Sequence, residues 1–510
     1  MKKRSGSLKI ALPKGRLLPP TADLLEEAKL GLDGYDEETR HYRLSSTVLP
    51  YLSAKIFQEK DIAVQVAVGN YDLGICGLDW VEELLARYKA SGVVKVATLS
   101  YGEGSVYAAA SRQTGRTGPL ADKPNRPSTG SGRTRETLLP FVVSLSNHER
   151  RCKPDASPLA RGDSLRLVSE YPNLAEAFAL NMRLKRFRIF PVWGDAEVYP
   201  PEDAEIAVLW AKDEKGLKKQ ALFPLVKLLP VNAVVIANQE SLENKELEGV
   251  LNRLAPGRRS EEHFLSFEEL GGESPAAPLP PRRAEGKVRL ALPDGHQLPP
   301  TAEFLKHAGL SLSRYCPESL DYRPSADLDW LAVKVIRPQD MPLQVANGNF
   351  DLAITGRDWL FDHLYRFPSS PVAELLDLGF GRVKIVAAVS QEMPASTIEE
   401  VKRLLSSRKL AVLRVASEYV NIGDRYLCDR HISPYKLIPT WGASEAFLPE
   451  DADLLIDNMQ TGKTMAEHNL KIIDELGDST ACLISNREGV ESPDKITKID
   501  LFINMLRRGL

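Results

Sequence analysis

The sequence predicts an α/β protein made of two tandem copies of one bilobal unit, and three observations carry this. The chain repeats itself, each copy alternates short apolar strands with helical patterns, and a Pro/Gly-rich stretch separates the copies. Leu8–Leu25 (LKIALPKGRLLPPTADLL) recurs as Val288–Leu305 (VRLALPDGHQLPPTAEFL), and Asp72–Trp80 (DLGICGLDW) as Asp351–Trp359 (DLAITGRDW). Ser169–Asn173 (SEYPN) recurs as Ser417–Asn421 (SEYVN), and Trp193–Glu197 (WGDAE) as Trp441–Glu445 (WGASE). The spacing between copies is 280 at the first match, 279 at the second and 248 at the last two. Copy one therefore holds about 31 extra residues between Ser111 and Ser169, by difference of those spacings. Residues 112–163, rich in Arg, Ser, Pro and Gly, read as a disordered surface insertion, with a basic binding arm as the sharper alternative. Residues 256–286 contain GGESPAAPLPPRRAEG and read as a linker. The expected units are thus 1–255 and 287–510.

In copy two, Val288–Pro293 is expected as a strand because it is a near-continuous apolar run, the pattern of a strand buried on both faces. A helix over Pro300–Ala308 follows, opened by a proline pair. Lys334–Arg337 reads as a strand, Pro338–Asn347 as a helix and Phe350–Thr355 as a strand. Val383–Val389 and Leu410–Ala416 are further strands, and Leu454–Asp457 leads into a polar turn. Strands joined through helices give mainly parallel lobes, and two strand clusters per copy leave a cleft at the carboxyl ends of the strands.

Composition narrows the function classes. A chain of 510 residues with 43% apolar and 26% charged residues is an ordinary soluble composition. A net charge of −3 gives no case for nucleic acid or an anionic membrane as partner. Five scattered cysteines without a CxxC pair fit reduced thiols in a cytoplasm. The basic N-terminus lacks an apolar h-region, so no signal peptide is expected. The most apolar long stretch, Ala221–Ala237, is broken by Lys227, Pro224, Pro230 and Asn232, and reads as buried strand. The eight histidines form no pair at metal-ligand spacing.

The chemistry concentrates at Asp457–Met465 (DNMQTGKTM). A strand, a polar turn and a helical run bring backbone N–H groups, two threonine hydroxyls and a lysine to a helix start, where an anion is favoured. The nucleotide P-loop is excluded, because its first glycine would fall on Asp457. A carboxylate followed by TGxT instead suits a ribose 5-phosphate, with the turn on the phosphate and the acid on ribose hydroxyls. An ordinary turn with Thr461 as N-cap is the plainer alternative.

Copy two resembles the catalytic chain of ATP phosphoribosyltransferase along Leu292–Leu298, Ile336–Pro342 (IRPQDMP), Asp351–Leu360 and Leu376–Ala388 (LDLGFGRVKIVAA). The resemblance continues through Arg414–Ile422, Trp441–Phe447 and Asp457–Met465. Copy one resembles it along Ile10–Leu18, at Asp61, and along Asp72–Trp80, Ser105–Ala110, Ser169–Leu174 and Trp193–Glu197. The resemblance implies the type II periplasmic-binding-protein-like fold in each copy. It also implies transfer of phosphoribosyl from phosphoribosyl pyrophosphate to N1 of ATP with release of pyrophosphate, the first step of histidine biosynthesis. Phosphoribosyl pyrophosphate then falls on Asp457, Gln460, Thr461, Gly462, Lys463 and Thr464, with Mg²⁺ on the pyrophosphate and no metal held by the protein alone. Lys14, Asp351, Thr355, Gly356, Glu418 and Glu445 are expected to bind nucleotide or line the cleft. Structural roles are the alternative for Asp351 and Glu418, and packing is the expectation for Trp193 and Trp441. The resemblance is to the short form, which implies a separate histidyl-tRNA-synthetase-like subunit, and self-association is a further expectation.

The copies depart from the family pattern in different places. Copy one keeps Lys14-Gly15-Arg16 but has Asp213 and Glu214 where the phosphate turn should be. Copy two keeps the turn but has Asp294-Gly295-His296 for Lys-Gly-Arg. The family also uses an arginine from the partner subunit, for which Arg40 or Arg43 in copy one and Arg323 in copy two are the candidates. The expectation is a division of labour: copy two binds phosphoribosyl pyrophosphate, and copy one supplies Arg40 or Arg43 across the pseudo-dimer interface. Arg16 and His296 complete the catalytic candidates. A non-catalytic ligand-binding or regulatory paralogue is the competing class, and a phosphoribosyltransferase with another acceptor base is the third.

Overall fold

The computed structural model describes residues 7–36, 42–111, 164–184, 186–257, 268–269, 286–460, 462–487 and 493–510. Residues 112–163 and most of 256–286 lie outside them, apart from Glu268–Glu269, which pairs with Val226 and Lys227. Each copy has two lobes, called here 1A and 1B, 2A and 2B.

The first sheet of lobe 1A has the order Arg43–Ser45, Leu52–Phe57, Leu8–Pro13, Leu73–Gly77, Ala233–Asn238, Val93–Thr98. Lobe 2A repeats it as Leu331–Ile336, Val288–Pro293, Leu352–Gly356, Ala481–Asn486, Val372–Asp377. Even the register repeats: Leu8 stands beside Leu52 and Val288 beside Leu331, both pairs parallel. In the B lobes the order is Leu222–Val231, Gly104–Ser111, Ile206–Ala211, Leu165–Ser169, Phe187–Pro191 and, correspondingly, Leu470–Ser479, Val383–Ser390, Leu454–Met459, Leu413–Ser417, Tyr435–Pro439. The chain is therefore two tandem bilobal α/β units. Within each sheet a parallel core of three strands is flanked by antiparallel ones. The reason is topological: the chain enters lobe B after Thr98 or Asp377 and returns to lobe A as Ala233–Asn238 or Ala481–Asn486, which run against their neighbours.

Every expected strand and helix of copy two is present, with shifted ends. The first helix spans Leu298–His307 with proline in its first turn, and the second is shorter than expected, Met341–Ala346. The strand expected from Leu410 starts at Leu413, because Arg408 takes a left-handed turn (φ 56°) after the helix Ile398–Ser406.

The copies do not pack as separate beads. One apolar core joins Phe57, Ile62 and Tyr71 of lobe 1A to Ala388, Phe447, Leu448 and Leu455 of lobe 2B. Another joins Val198, Tyr199 and Ala204 of lobe 1B to Ala291, Ile336, Met341 and Phe350 of lobe 2A. Each core is crossed by a buried ion pair at repeat-equivalent positions. Lys55 Nζ lies 2.7 Å from Asp451 Oδ2 and 3.0 Å from Glu450 Oε2. Lys334 Nζ lies 2.6 Å from Asp203 Oδ2 and 2.9 Å from Glu202 Oε2.

Removing one partner of such a pair leaves an uncompensated buried charge. Lys55→Met is expected to cost about 3–5 kcal/mol in denaturant unfolding, and Lys55→Met with Asp451→Leu to recover most of it. Asp61 and Asp340, repeat equivalents, are both buried, and burial pushes each carboxyl up to about 8. Their folded carboxyls hold protons more tightly than unfolded ones, whose usual value is about 4. Ionisation therefore opposes folding, and stability should fall as pH rises from about 4 to about 8. Asp61→Asn should make that decline shallower in unfolding curves taken across the window, and an unchanged slope would contradict it.

Candidate active site

The strand Leu454–Met459 in lobe 2B delivers Asp457 to the carboxyl edge of the sheet, and the chain turns through Gly462 (φ 73°) into the helix Lys463–Glu467. Thr461 and the side chains of Lys463 and Thr464 lie outside the described residues, while Gln460 is exposed. The helix has only five residues, so its macrodipole adds little; backbone N–H groups of the turn are the feature an anion would meet.

Two further carboxylates converge on Asp457. Burial pushes the Asp457 carboxyl well up, with repulsion from Glu418 and Glu445 adding to it and a hydrogen bond from Ser444 opposing it. Burial and Glu445 likewise push Glu418 up to about 7, against the pull of Lys60. Glu445 is carried on the turn Ser444–Phe447, which follows Gly442 (φ 96°). Glycine suits the left-handed backbone there, and the position of a Cβ lies 3.6 Å from both Gln58 Nε2 and Glu418 Oε1, an ordinary contact distance.

The wall opposite comes from the other copy. Lys14 Nζ donates to Tyr42 Oη at 2.9 Å, and the Tyr42 ring stacks on His468 just after the turn helix, with centroids 5.4 Å apart and planes 15° off parallel. His468 Nε2 in turn lies 3.7 Å from Glu445 Oε1. Lys14, the lysine of the basic pair in copy one, is thus linked through Tyr42 to His468, at the end of the helix that follows the phosphate turn of copy two.

Several residues singled out from the sequence stand elsewhere. Asp351 lies just before the strand Leu352–Gly356, at its amino end, paired with Arg289 (3.0 Å) and Lys495 (3.1 Å), which hold its carboxyl below the usual value despite burial; it is a structural clamp. Thr355 is buried and donates to the Pro338 carbonyl, and Gly356 has no room for a Cβ because Asp358 Oδ1 would be 2.0 Å away. Arg16 is engaged within copy one, by Glu59 (3.0 Å) and Asp79 (3.1 Å), with its guanidinium 4.3 Å from the centroid of Trp210. Arg43 does cross the interface, but onto Glu450 at 3.0 Å, while Arg323 crosses the other way onto Glu202 at 3.1 Å. His296 is exposed on the turn Gly295–Gln297, and Arg40 lies outside the described residues. Tyr42, Gln58, Lys60 and His468 were missed; only His468, one turn beyond the TGxT motif, carried a signal in the sequence.

The equivalent place in copy one is closed by its own side chains. Leu209 stands at the position of Asp457 and is buried. Asp213 accepts from Gly216 N at 2.7 Å, capping the helix Glu214–Lys219 and consuming an N–H that a phosphate would use. Facing it, Arg337 of lobe 2A pairs with Asp195 at 2.8 Å and Asp294 at 3.0 Å. Burial, with help from Asp195, pushes the Asp294 carboxyl up to about 6 against the pull of Arg337.

The ATP phosphoribosyltransferase family profile matches residues 58–126, 141–256 and 337–508, which is more than half of the chain. The chain belongs to the ATP phosphoribosyltransferase family. Among its relatives, the ATP phosphoribosyltransferase of Chlorobium luteolum is 30% identical over 228 residues, covering 44% of this chain and 71% of that protein. The Saccharolobus solfataricus enzyme is 33% identical over 229 residues, covering 44% of this chain and 72% of that one. A solved ATP phosphoribosyl transferase (HisG:HisZ) complex from Thermotoga maritima is 21% identical, with a TM-score of 0.35 over 44% of this chain and 98% of that chain. Membership makes the chain a pentosyltransferase of histidine biosynthesis.

Proposed function

We propose that the chain transfers phosphoribosyl from phosphoribosyl pyrophosphate to N1 of ATP at one composite site, built on lobe 2B and completed by Lys14 and Tyr42 of copy one. The observation that carries this reading is the Lys14–Tyr42–His468 link, which brings the Lys-Gly-Arg segment of one copy against the end of the short helix that follows the phosphate turn of the other. The 5-phosphate takes the turn Thr461–Thr464, and Asp457 and Glu418 accept hydrogen bonds from ribose hydroxyls. C1 becomes cation-like as pyrophosphate leaves, and the carboxyl oxygens of the Asp457, Glu418 and Glu445 cluster face that charge from a fixed position. Lys14 meets the leaving pyrophosphate. In this reading Mg²⁺ arrives on the pyrophosphate. Bound there, Mg²⁺ neutralises leaving-group charge.

This reading extends to a cytoplasmic enzyme with a histidyl-tRNA-synthetase-like regulatory subunit and self-association. No helix among the described residues is long and apolar enough to cross a membrane.

Incubation with ATP, Mg²⁺ and phosphoribosyl pyrophosphate should give the ultraviolet change of adenine alkylation; binding of both substrates without product would favour a non-catalytic paralogue. Asp457→Asn should lower kcat/KM for phosphoribosyl pyrophosphate by about 10- to 100-fold, the size of a lost charged hydrogen bond of about 1.5–3 kcal/mol. Tyr42→Ala should raise its KM. Turnover untouched by Thr461→Ala but abolished by Arg16→Ala would move the site to copy one. Titration calorimetry should find one phosphoribosyl pyrophosphate per chain, because Asp213 and Arg337 close the second position; two equal sites would contradict this.

A further inference from the structure

The strand Leu454–Met459 outruns one of its neighbours. Its parallel pairing with Leu413–Ser417 stops where Ser417 stands beside Ile456, while its pairing with Val383–Ser390 on the other side continues to Met459. Asp457 and Asn458 therefore lie where the ladder on one flank has ended. Side chains close that flank. Ser417 Oγ donates to the Ile456 carbonyl at 2.7 Å, and Asn458 Nδ2 donates to Tyr419 Oη at 2.9 Å. Glu418 and Asp457 are the residues between these two rungs, so the rungs set how the two carboxyls stand to each other.

The second rung is anchored in lobe 2A. Tyr419 Oη donates its one proton to Asp358 Oδ2 at 2.6 Å, so toward Asn458 it can only accept, which fixes the orientation of the amide. Asp358 stands in the first turn of the helix Arg357–Arg366, and its other oxygen accepts from Ser479 Oγ at 3.0 Å. Tyr419 and Asp358 are buried, whereas Asn458 is exposed at the end of the strand. The Asn458 backbone N–H lies 2.7 Å from Asp457 Oδ1. A chain of hydrogen bonds thus runs from the lobe 2A helix through Tyr419 to the residue that holds the Asp457 carboxyl.

Copy one keeps the first rung and lacks the second. Ser169 Oγ donates to the Val208 carbonyl at 2.6 Å, and Tyr171 Oη donates to Asp79 Oδ2 at 2.7 Å. The position of Asn458 is taken there by Trp210, whose indole N–H is buried with no hydrogen-bond partner among the described residues. Between the equivalent positions stand Glu170 and Leu209, an acid and a hydrocarbon. The tyrosine–aspartate bond is therefore common to both copies, while the amide rung occurs only beside the acid pair. We propose that Asn458 is a positioning residue: held by Tyr419 and, through it, by Asp358, it sets the spacing at which Asp457 and Glu418 receive the ribose hydroxyls. The inference rests on the reading of copy two as the phosphoribosyl pyrophosphate site.

The experiment is steady-state kinetics of the full chain for Asn458→Ala, Tyr419→Phe, the two combined, Tyr171→Phe and Asp457→Asn, with a thermal unfolding midpoint for each. Asn458→Ala and Tyr419→Phe should each raise KM for phosphoribosyl pyrophosphate by about three- to tenfold, the size of one neutral hydrogen bond, with kcat unchanged. The combined variant should raise it no further than Tyr419→Phe does, because both changes break one link. Tyr171→Phe removes the matching hydroxyl in copy one; it should lower the unfolding midpoint as Tyr419→Phe does and leave the kinetics at wild type. A KM shift in Tyr171→Phe equal to that of Tyr419→Phe reduces the bond to general stability and overturns the proposal. Asn458→Ala impaired beside a wild-type Tyr419→Phe overturns it too, since Asn458 would then act without its anchor. Asn458→Ala with wild-type KM, while Asp457→Asn is impaired, overturns the role of Asn458 alone, and Asp457→Asn with wild-type activity overturns the copy-two assignment beneath it. If Tyr419→Phe fails to fold, Asn458→Ala, a truncation at an exposed side chain, decides by its KM.

Discussion

The architecture depends on two ammonium groups, Lys55 and Lys334, each buried against an acid pair that only the other copy supplies. A buried ion pair adds little net stability compared with apolar packing, because desolvation offsets the attraction. Its contribution is selectivity. An ammonium emerging from Leu52–Phe57 or Leu331–Ile336 finds its Asp–Glu partner only when the opposite B lobe is docked in one register. Phe57 against Phe447, with ring centroids 5.3 Å apart, fills the space beside the first pair and fixes the same alignment. Lobe 1A is thereby committed to lobe 2B, and lobe 1B to lobe 2A.

That commitment explains how the copies diverged in opposite directions while the family's parts were retained. A site assembled within each copy would need Lys-Gly-Arg and TGxT in the same half, and neither half has both. A site assembled across the interface needs them in different halves, which is how they are distributed: Lys14 in lobe 1A faces the lobe that carries Asp457 and Gly462. The opposite combination, lobe 1B with lobe 2A, inherits both losses. There Asp213 caps its own helix and Arg337 is spent on Asp195 and Asp294, so these charges are balanced within the protein.

The fold was legible in the sequence because the repeat supplied each element twice, and because buried strands such as Val288–Pro293 are apolar throughout. The return strands were not legible as such. Ala481–Asn486 reads as any buried strand, and nothing local says that it pairs with the sheet its chain left about a hundred residues earlier. The phosphate turn was legible because TGxT after a carboxylate is a local pattern. Asp351 was open to misreading for the same reason. Its motif is local, but its role is set by Arg289 and Lys495, 62 and 144 residues away, which clamp the far end of the strand. Tyr42 was invisible, since its ring partner His468 lies in the other copy.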